Sequence, residues 1–149
     1  MSTPPRADIL DEVTALQQAL AAEHAAIYAY GIAGAFVPAE AQRDARAAHA
    51  GHLARRDRLA ARLHDAGRIP AAPAPIYDLP GPVTDPASAQ ALLTVVEERV
   101  CAVWADAVAV PEAGVRELAA LALQDTAVRA ARWRGASVAF PGLPERSGS

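Results

Sequence analysis

Four segments with helical periodicity each place an acidic or histidine side chain where the pattern calls for an apolar one. The four sets are Glu23 with Leu16, Leu20 and Ile27, then His49 and His52 with Leu59 and Leu63, then Glu97 with Leu93, Val100 and Trp104, and finally Asp125 with Leu118, Leu121 and Val128. A buried carboxylate without a partner is strongly destabilising, so such groups are found paired, hydrogen-bonded or bound to a metal. One such position near the middle of each helix is the layout of a metal centre inside a four-helix bundle.

The helix boundaries follow from proline, glycine and capping residues. Helices are predicted over about 8–37, 39–66, 86–110 and 112–134, and an extended tail over about 136–149. Gly67 is suited to end the second helix, and Asp85 followed by Pro86 is suited to begin the third. Alanine, the best helix former, makes up about a quarter of the chain. The predicted fold class is therefore all-α, a single four-helix bundle domain.

A proline-rich connection over about 67–85 separates the second and third helices. A helix of 25 residues is about 37 Å long, whereas 19 residues of polyproline-like chain reach about 59 Å. The connection can thus travel the whole length of the bundle, which makes the second and third helices parallel. A bundle with one such long crossover is the predicted topology.

Charge and composition restrict the possible partners. The net charge of −3 argues against a nucleic-acid-binding protein, which needs a basic excess. No run of about 20 apolar residues is available to cross a membrane. Cys101 is the single cysteine and cannot form an internal disulfide, so we expect a cytoplasmic protein. The alanine-rich helices leave flat faces that favour a homodimer.

A weak internal repeat links the first and third helices. Glu23 is followed seven residues later by Tyr30, and Glu97 is followed seven residues later by Trp104. Each pair lies on one face of its helix, because seven residues are close to two helical turns. Two helix pairs related by pseudo-symmetry would produce this repeat.

The segment from Leu16 to Tyr30 (LQQALAAEHAAIYAY) resembles the first helix of ferritin-like proteins of the bacterioferritin type. The proline-rich crossover, the sequence from Val83 to Pro86 and the ending from Ala131 to Arg134 are most similar to an alanine-rich bacterial ferritin-like domain of unknown function. The resemblance implies a di-iron centre built from one glutamate on each of two helices and a Glu-x-x-His pair on each of the others. Here the corresponding segments read His49-Ala-Gly-His52 and Asp125-Thr-Ala-Val128, so both pairs are incomplete.

Two interpretations of the centre follow. In the favoured one, Glu23 and the other acidic groups form buried ion pairs with Arg56 and Arg129, and the protein is a non-catalytic scaffold or binding protein with a degenerate centre. In the alternative, Glu23, His49, His52, Glu97 and Asp125 hold iron or manganese in a metal-binding protein or oxidoreductase. A third possibility is an interaction module that binds through the crossover or the tail.

Overall fold

The computed structural model describes residues 11–135, which form four α-helices and no strand. The helices are α1 (Glu12–Ala33), α2 (Gln42–Asp65), α3 (Pro86–Val108) and α4 (Ala113–Gly135), and a short 3-10 turn (Ala39–Ala41) precedes α2. The all-α four-helix bundle is confirmed. The predicted tail over 136–149 and the first residues of the first predicted helix lie outside the described part of the chain.

The helix ends follow capping chemistry more closely than apolar periodicity. Asp11 has extended backbone and accepts a 2.8 Å hydrogen bond from the Thr14 amide, so α1 begins at Glu12. Asp85 and Ser88 form a reciprocal capping box at the start of α3. Gly67 ends α2 with a φ of 71°, where its amide bonds the His64 carbonyl at 2.9 Å.

Contacts between helices define their directions. Glu23 of α1 meets His52 of α2 and Trp104 of α3, whereas Tyr30, two turns later in α1, meets Glu97. Because the partner in α3 moves backwards as the α1 residue advances, α1 and α3 are antiparallel. His52 contacts Glu97, and three residues later in α2 an arginine lies over Trp104. The helices α2 and α3 are therefore parallel, as the crossover length predicted.

The crossover lies along α1. The Gln17 side chain donates to the Ile69 carbonyl at 2.8 Å and accepts from the Ala71 amide at 2.7 Å. Further along, the rings of Tyr28 and Tyr77 meet with centroids 5.2 Å apart. These contacts hold the extended segment on α1, in addition to its internal hydrogen bond from the Ala74 amide to the Tyr77 hydroxyl. Beyond Tyr77, Leu79 and Pro80 of the crossover lie beside both α1 and α3.

The inward face of α4 differs from the predicted one. Leu118 of the predicted line is buried, but Leu121 is 57% exposed and Val128 46% exposed, so the line through Asp125 points outward. The buried positions of α4 are Val115, Leu118, Ala119, Ala122, Thr126, Ala130 and Trp133. In α3 the predicted line is confirmed, since Leu93, Glu97, Val100 and Trp104 are all buried. Within residues 11–135, no helix is long and apolar enough to cross a membrane.

Candidate functional site

The polar centre of the bundle is formed by one side chain from each of three helices. Glu23 of α1, His52 of α2 and Glu97 of α3 are each 0% exposed. They lie near mid-helix, two or more turns from the nearest helix end, and are surrounded by apolar residues of the core. The sequence predicted that these three positions face inward, and that placement is confirmed.

The imidazole of His52 lies between the two carboxylates. Its Nδ1 is 2.6 Å from Glu23 Oε2, and its Nε2 is 2.9 Å from Glu97 Oε1. A carboxylate can only accept hydrogen bonds, so both ring nitrogens donate when both glutamates are ionised. Burial by itself would lower the pKa of His52, but the hydrogen bonds and charges of Glu23 and Glu97 raise it above its ordinary value. The centre therefore favours an imidazolium ion.

Glu23 is held in its charged form. Its Oε1 accepts hydrogen bonds from Trp104 Nε1 at 3.0 Å and from Arg55 Nη1 at 3.3 Å, while Oε2 receives His52. Burial opposes ionisation, but the His52 hydrogen bond, the charges of His52 and Arg55, and the Trp104 hydrogen bond together lower the pKa of Glu23 below its ordinary value. Every oxygen of this carboxylate thus has a donor.

Glu97 has one satisfied oxygen and one without a partner. The Tyr30 hydroxyl donates to Glu97 Oε1 at 2.6 Å, and Trp133 Nε1 donates to the Tyr30 oxygen at 2.8 Å. Burial, with the neighbouring Glu97 charge, raises the pKa of Tyr30 and keeps the phenol protonated. Glu97 Oε2 is buried and has no hydrogen-bond partner among the described residues.

The internal repeat now has a structural meaning. Glu23 is bonded by Trp104, the aromatic residue that follows Glu97, and Glu97 is bonded by Tyr30, the aromatic residue that follows Glu23. Each helix of the α1–α3 pair therefore supplies the carboxylate for one hydrogen bond and the aromatic donor for the other. Because α1 and α3 are antiparallel, the seven-residue spacing brings the aromatic residue of each helix to the glutamate of the other.

Arg55, rather than the predicted Arg56, is the arginine of the centre. The Arg55 side chain is 9% exposed and bridges Glu23 to Asp125 Oδ2, which lies 3.1 Å from Nη2. Arg56 is 34% exposed and pairs with Asp57 at 2.8 Å on the outer side of α2. Arg55 and Arg56 stand three and four residues after His52, so the sequence spacing fits both equally well. The rotation of α2 turns Arg55 toward the centre, and the prediction of Arg56 is therefore wrong. Asp125 is 60% exposed and belongs to the rim.

Two further predicted residues lie beside the centre. His49 is partly buried, and its ring stacks on Tyr30 with centroids 6.5 Å apart and an interplanar angle of 13°. Arg129 is also partly buried, but its Nη1 has no hydrogen-bond partner and it forms no ion pair with a carboxylate of residues 11–135. The predicted pairing of Arg129 with Glu23 is not made, because Arg55 occupies that position.

The geometry does not match the donor set of a dinuclear metal centre. A histidine ligand needs a free lone pair on one ring nitrogen, and both nitrogens of His52 face carboxylates. Trp104, Tyr30 and Arg55 take further positions around the glutamates. In the part of the chain that the structure describes, no group of three or more His, Cys, Asp or Glu side chains is arranged to hold a metal ion.

Comparison with known proteins places the chain in a family. Residues 15–145 match the family model described as a domain of unknown function, DUF4439. The chain belongs to this family. It is also similar to a conserved hypothetical protein, rv2844, from Mycobacterium tuberculosis, known from a crystal structure: the identity is 35%, the match covers 82% of this chain and 93% of that one, and the TM-score is 0.78. No curated protein sequence matches this DUF4439 chain.

Sequence reasoning missed two members of the network in this DUF4439 protein. Arg55 is absent from the predicted centre, although its spacing of three from His52 and four from Leu59 fits the buried face as well as that of Arg56. Trp133 is 6% exposed and orients the Tyr30 hydroxyl. A bulky indole among alanines near the end of α4 was the available signal for burial.

Proposed function

We propose that this DUF4439 protein is a ferritin-like bundle whose centre is a hydrogen-bonded ionic network instead of a metal site, and that it acts as a non-catalytic scaffold or binding protein. The observation that carries the proposal is the position of His52, with Nδ1 and Nε2 at 2.6 and 2.9 Å from two carboxylates. In this arrangement the imidazolium supplies the positive charge that a cation would otherwise supply.

The energetics of metal entry support this proposal. A metal bound by Glu23, His52 and Glu97 requires the loss of a proton from His52, whose pKa is raised by the same two carboxylates. It also requires at least one donor of Glu23 to leave, and Arg55 and Trp104 would then lose a buried partner. Removing one partner from a buried charged pair is strongly unfavourable.

A register role follows from the geometry of the network. Three helices meet at His52, and a shift of any one of them by a single residue would rotate its polar side chain out of the centre by about 100°. Such a shift would leave a charged group buried without a partner. In several proteins buried polar groups specify helix register at some cost in stability, and we assign that role to this centre.

The alternative is a metal-binding protein or oxidoreductase that uses one iron or manganese ion. The observation in its favour is Glu97 Oε2, a buried carboxylate oxygen without a hydrogen-bond partner among the described residues. A buried acceptor of this kind is rare and is a possible ligand position. In this alternative Glu97 and a deprotonated His52 would supply the ligands.

Elemental analysis separates the two functions. The purified protein is analysed as isolated and after anaerobic incubation with ferrous iron or manganese followed by desalting. We expect no retained metal and no rise in the melting temperature. Glu97→Gln and the adjacent Glu98→Gln form a matched pair, since Glu97 is buried at the centre whereas Glu98 is exposed and pairs with Arg134. Near-stoichiometric metal that is lost in Glu97→Gln and kept in Glu98→Gln would establish the alternative.

We also propose a homodimer that buries the outer face of α4. Leu121 and Val128 are two turns apart on this face and are 57% and 46% exposed. Burying such side chains against a second copy would remove apolar area from water. Light scattering on the full chain tests this, with Leu121→Glu expected to give a monomer.

A cytoplasmic location agrees with the free thiol of Cys101 and is part of the same proposal.

A further inference from the structure

A cavity of about 360 Å³ lies between the start of α2 and the end of α4, outside the buried network. Its walls include two arginines, two acidic residues, an indole and a small apolar side chain, namely Arg129, Arg132, Glu40, Asp44, Trp133 and Ala48. The volume is within the range of small-molecule sites, which is about 300–1,000 Å³. The crossover lies elsewhere, along α1 and beside α3, where Tyr77 and Leu79 stand next to residues of both helices.

Arg129 lines the cavity, and its guanidinium packs closely against α2 at Gly51. A Cβ atom added at Gly51 would lie 2.5 Å from Arg129 Nη2, so only glycine at this position lets the guanidinium approach the helix so closely. Nη1 of the same group is buried and has no hydrogen-bond partner among residues 11–135. A buried cationic donor is expected to have an acceptor. The guanidinium, whose side chain lines the cavity, therefore carries a donor for which residues 11–135 supply no acceptor.

The charges of the cavity are balanced and lie on different helices. Arg129 and Arg132 come from α4, whereas Glu40 and Asp44 come from the 3-10 turn and the first turn of α2. None of the four forms an ion pair with a described residue. A simple anion would be attracted by the arginines and repelled by the acidic pair. A ligand that carries one carboxylate and one ammonium group matches both.

The apolar part of the cavity is rigid. Trp133 is 6% exposed, and its Nε1 is bonded to the Tyr30 hydroxyl at 2.8 Å, which fixes the plane of the indole. Ala48, which also lines the cavity, is 4% exposed. A fixed aromatic wall beside a small residue suits an apolar side chain, since aromatic surfaces contribute large contact areas.

We propose that this cavity binds a free α-amino acid with an apolar side chain. The carboxylate accepts hydrogen bonds from Arg129 and Arg132, the ammonium group lies toward Glu40 and Asp44, and the side chain packs against Trp133. The inference rests on the proposed function, because it names the ligand class of a protein that acts by binding. Paired arginine contacts to a carboxylate are directional, which gives selectivity for this end of the ligand.

Calorimetric titration of the full chain tests the ligand class with three matched probes. L-Phenylalanine carries both charges, 3-phenylpropanoate lacks the ammonium group, and 2-phenylethylamine lacks the carboxylate. We expect phenylalanine to bind with a Kd at least about tenfold lower than either analogue, since each analogue leaves one pair of charged side chains unpaired. Equal affinity for phenylalanine and 3-phenylpropanoate, or no binding of any probe, would overturn the proposal.

Three variants locate the site. Arg132→Gln and Asp44→Asn each remove one charge from the cavity, and Arg58→Gln makes the same change as the first on an exposed part of α2. We expect the Kd for phenylalanine to rise at least about tenfold in the first two variants and to stay unchanged in the third. Unchanged affinity in Arg132→Gln and Asp44→Asn would place any binding elsewhere and refute the site.

The same protein preparation distinguishes this inference from the proposed function. If the protein takes up no metal and binds no amino acid, the proposed ligand class is wrong, whereas the metal-free centre stands. A protein that takes up stoichiometric metal at Glu97 refutes the metal-free centre, and phenylalanine binding that depends on Arg132 would still support the cavity.

Discussion

Replacing His52 with leucine removes the positive charge between two buried carboxylates. The imidazole is 2.6 Å from Glu23 and 2.9 Å from Glu97, and all three side chains are 0% exposed. In His52→Leu, Glu23 keeps Trp104 and Arg55, but Glu97 keeps only the Tyr30 hydroxyl. Two like charges then face each other in the core, and at least one must take up a proton.

The expected loss is about 3–5 kcal/mol near pH 7, the usual result of removing one partner from a buried charged pair. For a domain of this size each kcal/mol lowers the melting temperature by about 2–4 °C, so the transition should fall by about 6–20 °C. The matched control is His49→Leu, one turn earlier in α2. His49 is only partly buried and contacts Tyr30 through its ring, so we expect its loss to stay within about 1 kcal/mol.

The pH dependence gives this prediction a second readout. In His52→Leu, Glu23 loses the imidazole that lowers its pKa, so the variant regains stability as the pH falls and this buried carboxylate becomes protonated. The difference between wild type and variant should therefore be smaller near pH 5 than near pH 7. Urea denaturation followed by circular dichroism at both pH values measures it. A loss equal to that of His49→Leu, or a difference that does not narrow, would refute the ionic network.

Three further predictions follow from the structure. Arg55→Leu should lower the free energy of unfolding by about 1–3 kcal/mol, because Glu23 loses a buried charged donor. Arg56→Leu should lower it by less than about 0.5 kcal/mol, because Arg56 pairs on the outer side of α2. Equal losses in urea denaturation would contradict the placement of Arg55. Gly67→Ala should lower the free energy of unfolding by about 1–2 kcal/mol because φ is 71°, while Gly31→Ala, in open space within α1, should not lower it. In wild type, the pKa of His52 is raised from 6.5, so the stability that His52 contributes is complete below about pH 6.5 and is lost as the pH rises through the folded-state pKa. The pKa of Glu23 is lowered from 4.5, so the stability that Glu23 contributes is complete above about pH 4.5 and is lost as the pH falls through the folded-state pKa. A stability profile that stays flat from about pH 6.5 to pH 9 would argue against the raised pKa of His52.

The fold was predictable because the strongest signals act within a single helix. Caps and breakers such as Asp85, Pro86 and Gly67 act on their own backbone, and they place the ends of α2 and α3 within a few residues. The length of the proline-rich segment then decides that α2 and α3 are parallel. Large apolar residues also define the inward face of α3 without ambiguity, because Leu93 and Trp104 leave only one line through Glu97.

The inward face of α4 could not be read in the same way. Three of its seven buried positions are alanines, and alanines also occupy its outer side, so periodicity carries little information there. Thr126 is buried with its hydroxyl bonded to the Ala122 carbonyl at 2.8 Å, whereas the neighbouring Asp125 faces the rim. A rotation of one residue separates the predicted face from the observed one.

Periodicity along the chain was sufficient to identify Glu23, His52 and Glu97 as buried, since each interrupts a line of core residues on its own helix. Their partners depend on the rotation and axial position of neighbouring helices, which packing of all four helices decides together. That packing selects Arg55 over Arg56 and gives Trp104 to Glu23 and Tyr30 to Glu97. It also directs Arg129 toward Gly51 and leaves the guanidinium facing a cavity. The spacing of residues within one helix indicates which side of that helix is buried. Which residues contact each other depends on how two helices pack together, so the tertiary structure decides it.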